Sequence, residues 1–137
     1  TNDGTDPNNF TSKYDRILID APCTGLGALR RRPESRWRKT QSDLKELVSL
    51  QRNLLASSFE LLRPGGIISY VTCSPHLAET KGQVIDFLGS FPQMSILPLT
   101  SLPLSNTAGI QEDGTMQLWT HKDQSDAMFM ALFRKNG

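Results

Sequence analysis

Cysteine and histidine are scarce in this 137-residue sequence, with two of each. Cys23 and Cys73 lie far apart, and neither has a second cysteine or a histidine at finger spacing. A structural zinc site is therefore not expected. A single disulfide could join them, but no secretory signal points to an oxidising compartment. Two free thiols in a cytoplasmic protein are the expected state. Long apolar runs are also missing. No window approaches the roughly 18 uninterrupted apolar residues of a membrane-spanning helix, so no membrane partner is expected. The opening "TNDGTDPNNF" lacks the charged and apolar regions of a signal peptide. An initiator methionine is absent as well, which suggests a chain cut from something longer. There is no internal repeat and no low-complexity tract, and the length suits one compact domain.

Charge is present but unevenly placed. The net charge is +1. Residues 30–39 hold Arg30, Arg31, Arg32, Arg36, Arg38 and Lys39 against the single acid Glu34. That segment carries +5, so the rest of the chain carries −4. A local basic patch on a slightly acidic body suits an anionic partner, or else a solvated basic loop.

The periodicities predict an α/β fold. Residues 1–13 read as loop. "YDRILID" (14–20) has the pattern of a strand buried on both faces. Pro22, Gly25 and Gly27 then interrupt regular structure. A helix is predicted near Thr40–Leu62, with Thr40 and Asp43 as a capping box. Leu44, Leu47, Val48, Leu54, Leu55, Phe59 and Leu62 make its apolar stripe. "RPGG" (63–66) ends it. "IISYVTC" (67–73) follows as a strand, parallel to the first because a helical crossover joins them. A second helix is predicted near Leu77–Leu88, with Val84, Ile85 and Leu88 inward. "SILPL" (95–99), "MQLWT" (116–120) and "AMFMALF" (127–133) read as strands, the last two an antiparallel pair. Residues 100–114 read as a polar loop.

Ligands of open parallel sheets bind beyond the carboxyl ends of the strands. Asp20 ends the first predicted strand, with Cys23 three residues on, and Cys73 ends the second. Neighbouring strands would bring both thiols and the carboxylate to one rim. A lone free cysteine is often only a small buried hydrophobe, and an Asp after a strand is ordinary turn chemistry. Together on one rim they point to function. A nucleophilic thiol works as thiolate and needs positive charge or helix-terminal amides nearby. His76, three residues beyond Cys73, admits a Cys-His hydrolase, although nothing in the sequence orients its ring. His121 reads as a surface or structural histidine.

The run "DAPCTGLG", followed by "RRRPESRWR" and, about fifty residues later, "VTCSPHLAET", resembles the Sun/Fmu family of RNA cytosine-5 methyltransferases. Within it, the RsmB-like bacterial ribosomal RNA enzymes look most similar. "NDGTDP" near the start and "LWTHKDQSDAMFMALFRK" at the end match too, with His121 and Asp126 before the last strand. The resemblance implies a Rossmann-like fold dependent on S-adenosyl-L-methionine, with RNA, above all ribosomal RNA, as partner and no metal. It implies that Cys73 adds to carbon 6 of cytosine and that Cys23 assists release of the product. It also implies that Asp20 hydrogen-bonds the pyrimidine at the cofactor and base site, and that Asp3 contacts the adenine end of the cofactor. Covalent addition divides one hard step into two easier ones, and the base must be flipped out of any stack. The basic stretch from Arg30 to Lys39 would then grip RNA phosphates.

Family members often carry acidic and amide residues after "TCS". Here the stretch is "AETKGQ", with Lys81 in place of an acid, and Glu79 receives no assigned role. The glycine-rich turn that cradles the methionine end of the cofactor is expected before residue 1. Gly25 and Gly27 do not replace it, because no helix start follows them at the needed spacing. Residues 1–137 are thus expected to be the C-terminal portion of a catalytic domain, inactive alone. The rival expectations are a catalytically idle RNA-binding module and the cysteine hydrolase.

Overall fold

Five strands form one mixed sheet: β1 (Tyr14–Asp20), β2 (Leu62–Thr72), β3 (Met94–Ile96), β4 (Met116–Leu118) and β5 (Met128–Lys135). Helices α1 (Ser35–Arg38), α2 (Gln41–Leu61), α3 (Lys81–Ser90) and α4 (Thr120–Asp123) connect or flank them. The computed structural model describes residues 2–38 and 40–137.

The crossover is as the periodicities predict. β1 and β2 pair in parallel, with Ile19 opposite Tyr70 and Asp20 opposite Val71. α2 joins them and opens on the predicted capping box, in which Thr40 accepts from the Asp43 backbone N–H and Asp43 accepts from that of Thr40. The antiparallel pairing of β4 with β5 is also as expected, with Gln117 opposite Phe129. β5 has a larger part than the sequence suggested. One edge of it pairs along β2, and the other takes β4 and β3 in turn. The last strand in sequence is therefore the middle strand of the sheet.

Alternation along β2 and β5 builds the core. Ile68, Tyr70, Phe129, Ala131 and Phe133 are fully buried on one face. α2 and α3 bring Leu55, Val84 and Phe87 into the same cluster. The rings of Phe87 and Phe133 meet edge to face at 4.9 Å. Burying a side chain of that size contributes about 1.5–3 kcal/mol, so this face dominates the packing.

Several expectations are corrected. The first strand is not buried on both faces. Of its residues only Ile19 is buried, while Leu18 is 70% exposed. The cover such a strand calls for is not among the described residues. "RPGG" does not lie outside the strand but within β2. The register slips there, Tyr14 facing Leu62 and Arg16 facing Ile67, and Gly65 has the left-handed φ of 77°. That is an irregularity at which Pro64 and Gly65 are tolerated, since residues 63–66 have no register partner in either neighbouring strand. The second helix begins later than predicted. A 3-10 turn at Leu77–Glu79 precedes α3. Ile85 is 70% exposed and Phe87 takes the inward place. Residues 84, 87 and 88 share one helix face, and 85 lies about 100° off it. The third strand spans only Met94–Ile96, because Leu99 starts a further 3-10 turn.

Candidate functional site

The parallel pairing of β1 and β2 makes the chain leave both strands on one rim. Past Asp20, the Ala21 N–H donates to Val71 O at 2.9 Å and continues the ladder for one residue. β2 stops at Thr72, so Cys73 opens the following turn rather than ending the strand. The two turns are then stitched together. Gly27 N–H donates to Cys73 O at 2.9 Å, and Ala127 N–H, just before β5, donates to Gly27 O at 2.9 Å. A Cβ at Gly27 would lie 2.0 Å from Ala127 O and 2.7 Å from Cys73 O. Only glycine lets three backbones meet here.

This stitching brings the thiols together. Cys23 Sγ and Cys73 Sγ are 3.3 Å apart, both half-buried and both free. The hydrogen bond from the Cys23 thiol pushes the Cys73 thiol down to about 6, against the opposing effects of burial and of the Asp20 and Asp126 carboxylates. As the donor, and through burial, Cys23 is pushed strongly up. The two shifts point one way: the pair's anion is favoured on Cys73 and its proton on Cys23.

Beneath the thiols lies a buried polar network. Glu79 is fully buried. Its Oε1 accepts from Thr24 N at 2.8 Å and from Gln51 Nε2 at 3.1 Å, and its Oε2 accepts from Thr24 Oγ1 and Ser74 Oγ, each at 2.6 Å. Gln51 also donates to Pro22 O at 2.8 Å, and the Tyr70 hydroxyl donates to Glu79 O at 2.8 Å. Burial pushes the Tyr70 phenol well up, so it stays a donor.

Above the thiols the surroundings are charged. An open cleft of about 540 Å³ is lined by Asp20, Pro22, Cys23, Cys73, Arg31 and Arg32, among others. Arg31 reaches back to Asp126 through Nε at 2.8 Å and through a second, very short contact from Nη2. The Arg31 hydrogen bond holds the Asp126 carboxyl below the usual carboxylate range. A second cleft of about 510 Å³ runs along β1 past Tyr14, Ile17 and Leu18 to Gly4, and Asp20 lines both.

Half of the sequence-predicted site residues thus converge. Cys23, Cys73 and Asp20 share one rim, with Arg31 and Arg32 beside them. Arg30 and Arg36 are exposed, and the Arg36 guanidinium lies 5.4 Å from the Trp37 ring centre. The Arg38 side chain and Lys39 lie outside the described residues. Asp3 does not line either cleft. Its carboxylate accepts from Thr5 N and Thr5 Oγ1, beside Gly4. His76 is engaged elsewhere: its Nδ1 accepts from Ala78 N at 3.2 Å, capping the 3-10 turn. That geometry removes the support for a Cys-His dyad. His121 is exposed on α4.

Sequence reasoning missed Glu79, Gln51 and Thr24. Gln51 had a signal, since it occupies a core-facing position on the stripe of α2 between Val48 and Leu55. A polar residue there calls for a buried partner. Glu79 had none, because a three-residue turn has no periodicity to read.

The fold is the Rossmann-like fold of S-adenosylmethionine-dependent methyltransferases. The chain is a member of the 16S rRNA methyltransferase RsmB/F family, whose model matches residues 1–134. It is 52% identical over 124 residues to a Mycobacterium tuberculosis protein described as a methyltransferase, covering 89% of this chain and 26% of that protein. To the ribosomal RNA small subunit methyltransferase B of Pectobacterium atrosepticum it is 33% identical over 136 residues, covering 98% of this chain and 30% of that one. The crystal structure of NSun6 from Pyrococcus horikoshii with SFG superposes with a TM-score of 0.81 at 26% identity, over 98% of this chain and 33% of that chain. The chain therefore spans about a quarter to a third of the length of these proteins.

Proposed function

We propose that this chain carries the thiol half of an RNA methyltransferase site that methylates carbon 5 of cytosine, with ribosomal RNA as substrate. The observation that carries this reading is the thiol pair: two cysteines 3.3 Å apart, beyond adjacent parallel strands, with Cys73 poised as thiolate. The Cys73 thiolate adds to carbon 6 of a flipped-out cytosine, and the electron pair of the 5,6 double bond moves to carbon 5, making it nucleophilic. S-adenosyl-L-methionine, when bound, supplies the methyl group. A base then takes the carbon-5 proton, the double bond re-forms and Cys73 leaves as thiolate. Cys23 assists this release as that base, once its own proton has passed to solvent. Asp20, which lines both clefts, orients the pyrimidine by hydrogen bonding.

The cleft along β1 suits the cofactor, since it joins apolar walls at Tyr14, Ile17 and Leu18 to the carboxylate of Asp20. Asp3, at the Gly4 end, is assigned to the adenine side. Arg30, Arg32 and Arg36, with Arg38 and Lys39, take the RNA phosphates. Arg31 serves there only in part, since Asp126 already engages it. Residues 1–137 form the C-terminal portion of the catalytic domain and hold part of the cofactor site. Titration calorimetry of this segment alone should then show no saturable S-adenosylmethionine binding at micromolar concentrations. Tight binding would overturn that assignment.

The catalytic roles are tested in the full-length protein with RNA and cofactor. Cys73→Ala should abolish both turnover and any covalent RNA complex. Cys23→Ala should permit addition and methyl transfer but stall release, so an adduct accumulates that survives denaturing electrophoresis. The opposite pattern would reverse the roles. No adduct and no turnover in the wild type would leave an idle RNA-binding module.

A further inference from the structure

We propose that Glu79 is a positioning residue for the thiol pair: its buried carboxylate clasps the turn carrying Cys23 to the turn carrying Cys73 and thereby sets their approach. The proposal rests on the reading of Cys73 and Cys23 as the working thiols, and it adds a residue to which that reading gives no task.

A carboxylate without any exposure is costly unless donors surround it. Glu79 has four, and where they come from is informative. Two are the backbone N–H and hydroxyl of Thr24, the residue after Cys23. One is the hydroxyl of Ser74, the residue after Cys73. The fourth is the amide of Gln51 on α2, which also holds Pro22 O, the residue before Cys23. Each thiol is therefore one bond along the chain from a residue that the same carboxylate fixes. Thr24 Oγ1 and Ser74 Oγ also approach each other at 3.3 Å, one residue along each turn from the 3.3 Å thiol contact. Tyr70 fixes the Glu79 backbone from the core side.

An acceptor-only group is what this junction requires, because every side chain and amide facing it has a proton to give. Apolar packing would leave three or four buried donors unpaired. The donors are neutral, so the clasp acts through geometry rather than through charge on the thiols. Glutamine can meet the same demand. Its oxygen can take the Thr24 N–H and Gln51 amide, and its NH2 can donate to the two hydroxyls, which rotate to accept.

The test measures the pH midpoint of Cys73 alkylation by iodoacetamide, followed by mass spectrometry of the peptide containing Cys73. Circular dichroism checks that each variant is folded. This readout does not depend on RNA methylation, so it can fail or succeed independently of the proposed activity. Glu79→Ala should raise the Cys73 midpoint by at least a pH unit, a tenfold or greater loss of thiolate stabilisation. Glu79→Gln should keep the midpoint near that of the wild type. A folded Glu79→Ala protein with an unshifted midpoint overturns the clasp. Equal shifts in both variants overturn it too, because the charge and not the bonding would then matter. Should Glu79→Ala fail to fold, Thr24→Val replaces it, removing one hydroxyl of the link, with the same two outcomes.

Discussion

Below the thiols, Glu79, Thr24, Ser74 and Gln51 are at most 4% exposed, and the four donors facing the Glu79 carboxylate come from three separate segments. Above them, the Arg31 side chain is 65% exposed, and Arg30, Arg32 and Arg36 stand in solvent. Bonds from donors to a buried charge contribute about 1.5–3 kcal/mol each. The Arg31–Asp126 pair is solvated at Arg31 but not at Asp126, which is 12% exposed, whereas fully exposed charges contribute about 0–1 kcal/mol and weaken with salt. The lower wall therefore fixes the sulfurs, while the upper wall can rearrange around a polyanion at little cost. Rigid chemistry under an adaptable grip suits the proposed reaction on a flipped base of an RNA.

The comparison can be broken at the thiols first. Cys23→Ala removes the donor that stabilises the Cys73 thiolate. The alkylation midpoint of Cys73 should rise from about 6 toward the roughly 8.5 of a free thiol. That is a several-hundred-fold change in proton affinity, read from a pH series of alkylation rates. A midpoint that stays near 6 would mean that backbone amides, and not the partner thiol, stabilise the anion.

Next comes the stitch between the turns. Gly27→Ala places a methyl group against two carbonyl oxygens that belong to different segments. Overpacking against backbone should cost about 3 kcal/mol or more, measured by urea denaturation. A loss below about 1 kcal/mol would show that the segments at residues 73 and 127 can part without penalty.

The smallest effect is on the upper wall. Replacing Arg30, Arg32 and Arg36 together by Ala should flatten the salt dependence of RNA binding by about 2 in log–log slope, roughly 50-fold in affinity at physiological salt. Stability should change by no more than about 0.5 kcal/mol. Unchanged affinity and slope would return the segment to a solvated loop. A large loss of stability would mean that the upper wall also supports the fold.

The sequence made the crossover and its rim legible because those elements are local. The β1 pattern, the α2 stripe with its Thr40 cap, and the turn residues after Asp20 all lie within short windows. The meeting of Cys23 and Cys73 followed from one topological rule about parallel strands. What stayed hidden depends on pairings between distant segments. Nothing near Glu79 announces that Thr24 and Gln51 will surround it. Nothing in "AMFMALF" says that β5 will insert beside β2 rather than lie at an edge. The error at Ile85 was one of phase, since it lies about 100° from the face that Val84, Phe87 and Leu88 share. The error at β1 was one of context, because an apolar pattern states what a strand needs and not whether these residues supply it.

The central place of β5 also has a consequence in time. Phe129, Ala131 and Phe133 fill the middle of the core, yet a ribosome makes them after the other four strands of this sheet. Until residue 135 has emerged, β2 keeps an open edge, and β3 and β4 have no partner in the sheet. Parallel pairing of β1 and β2 can form earlier, but the pairing that closes the core spans sequence separations of 57 to 67 residues. Such contacts form slowly and leave strand edges exposed in the interval. Synthesis of this chain therefore passes through a stage in which the thiol turns exist but the strand behind them does not, and that nascent form is the one most in need of a chaperone.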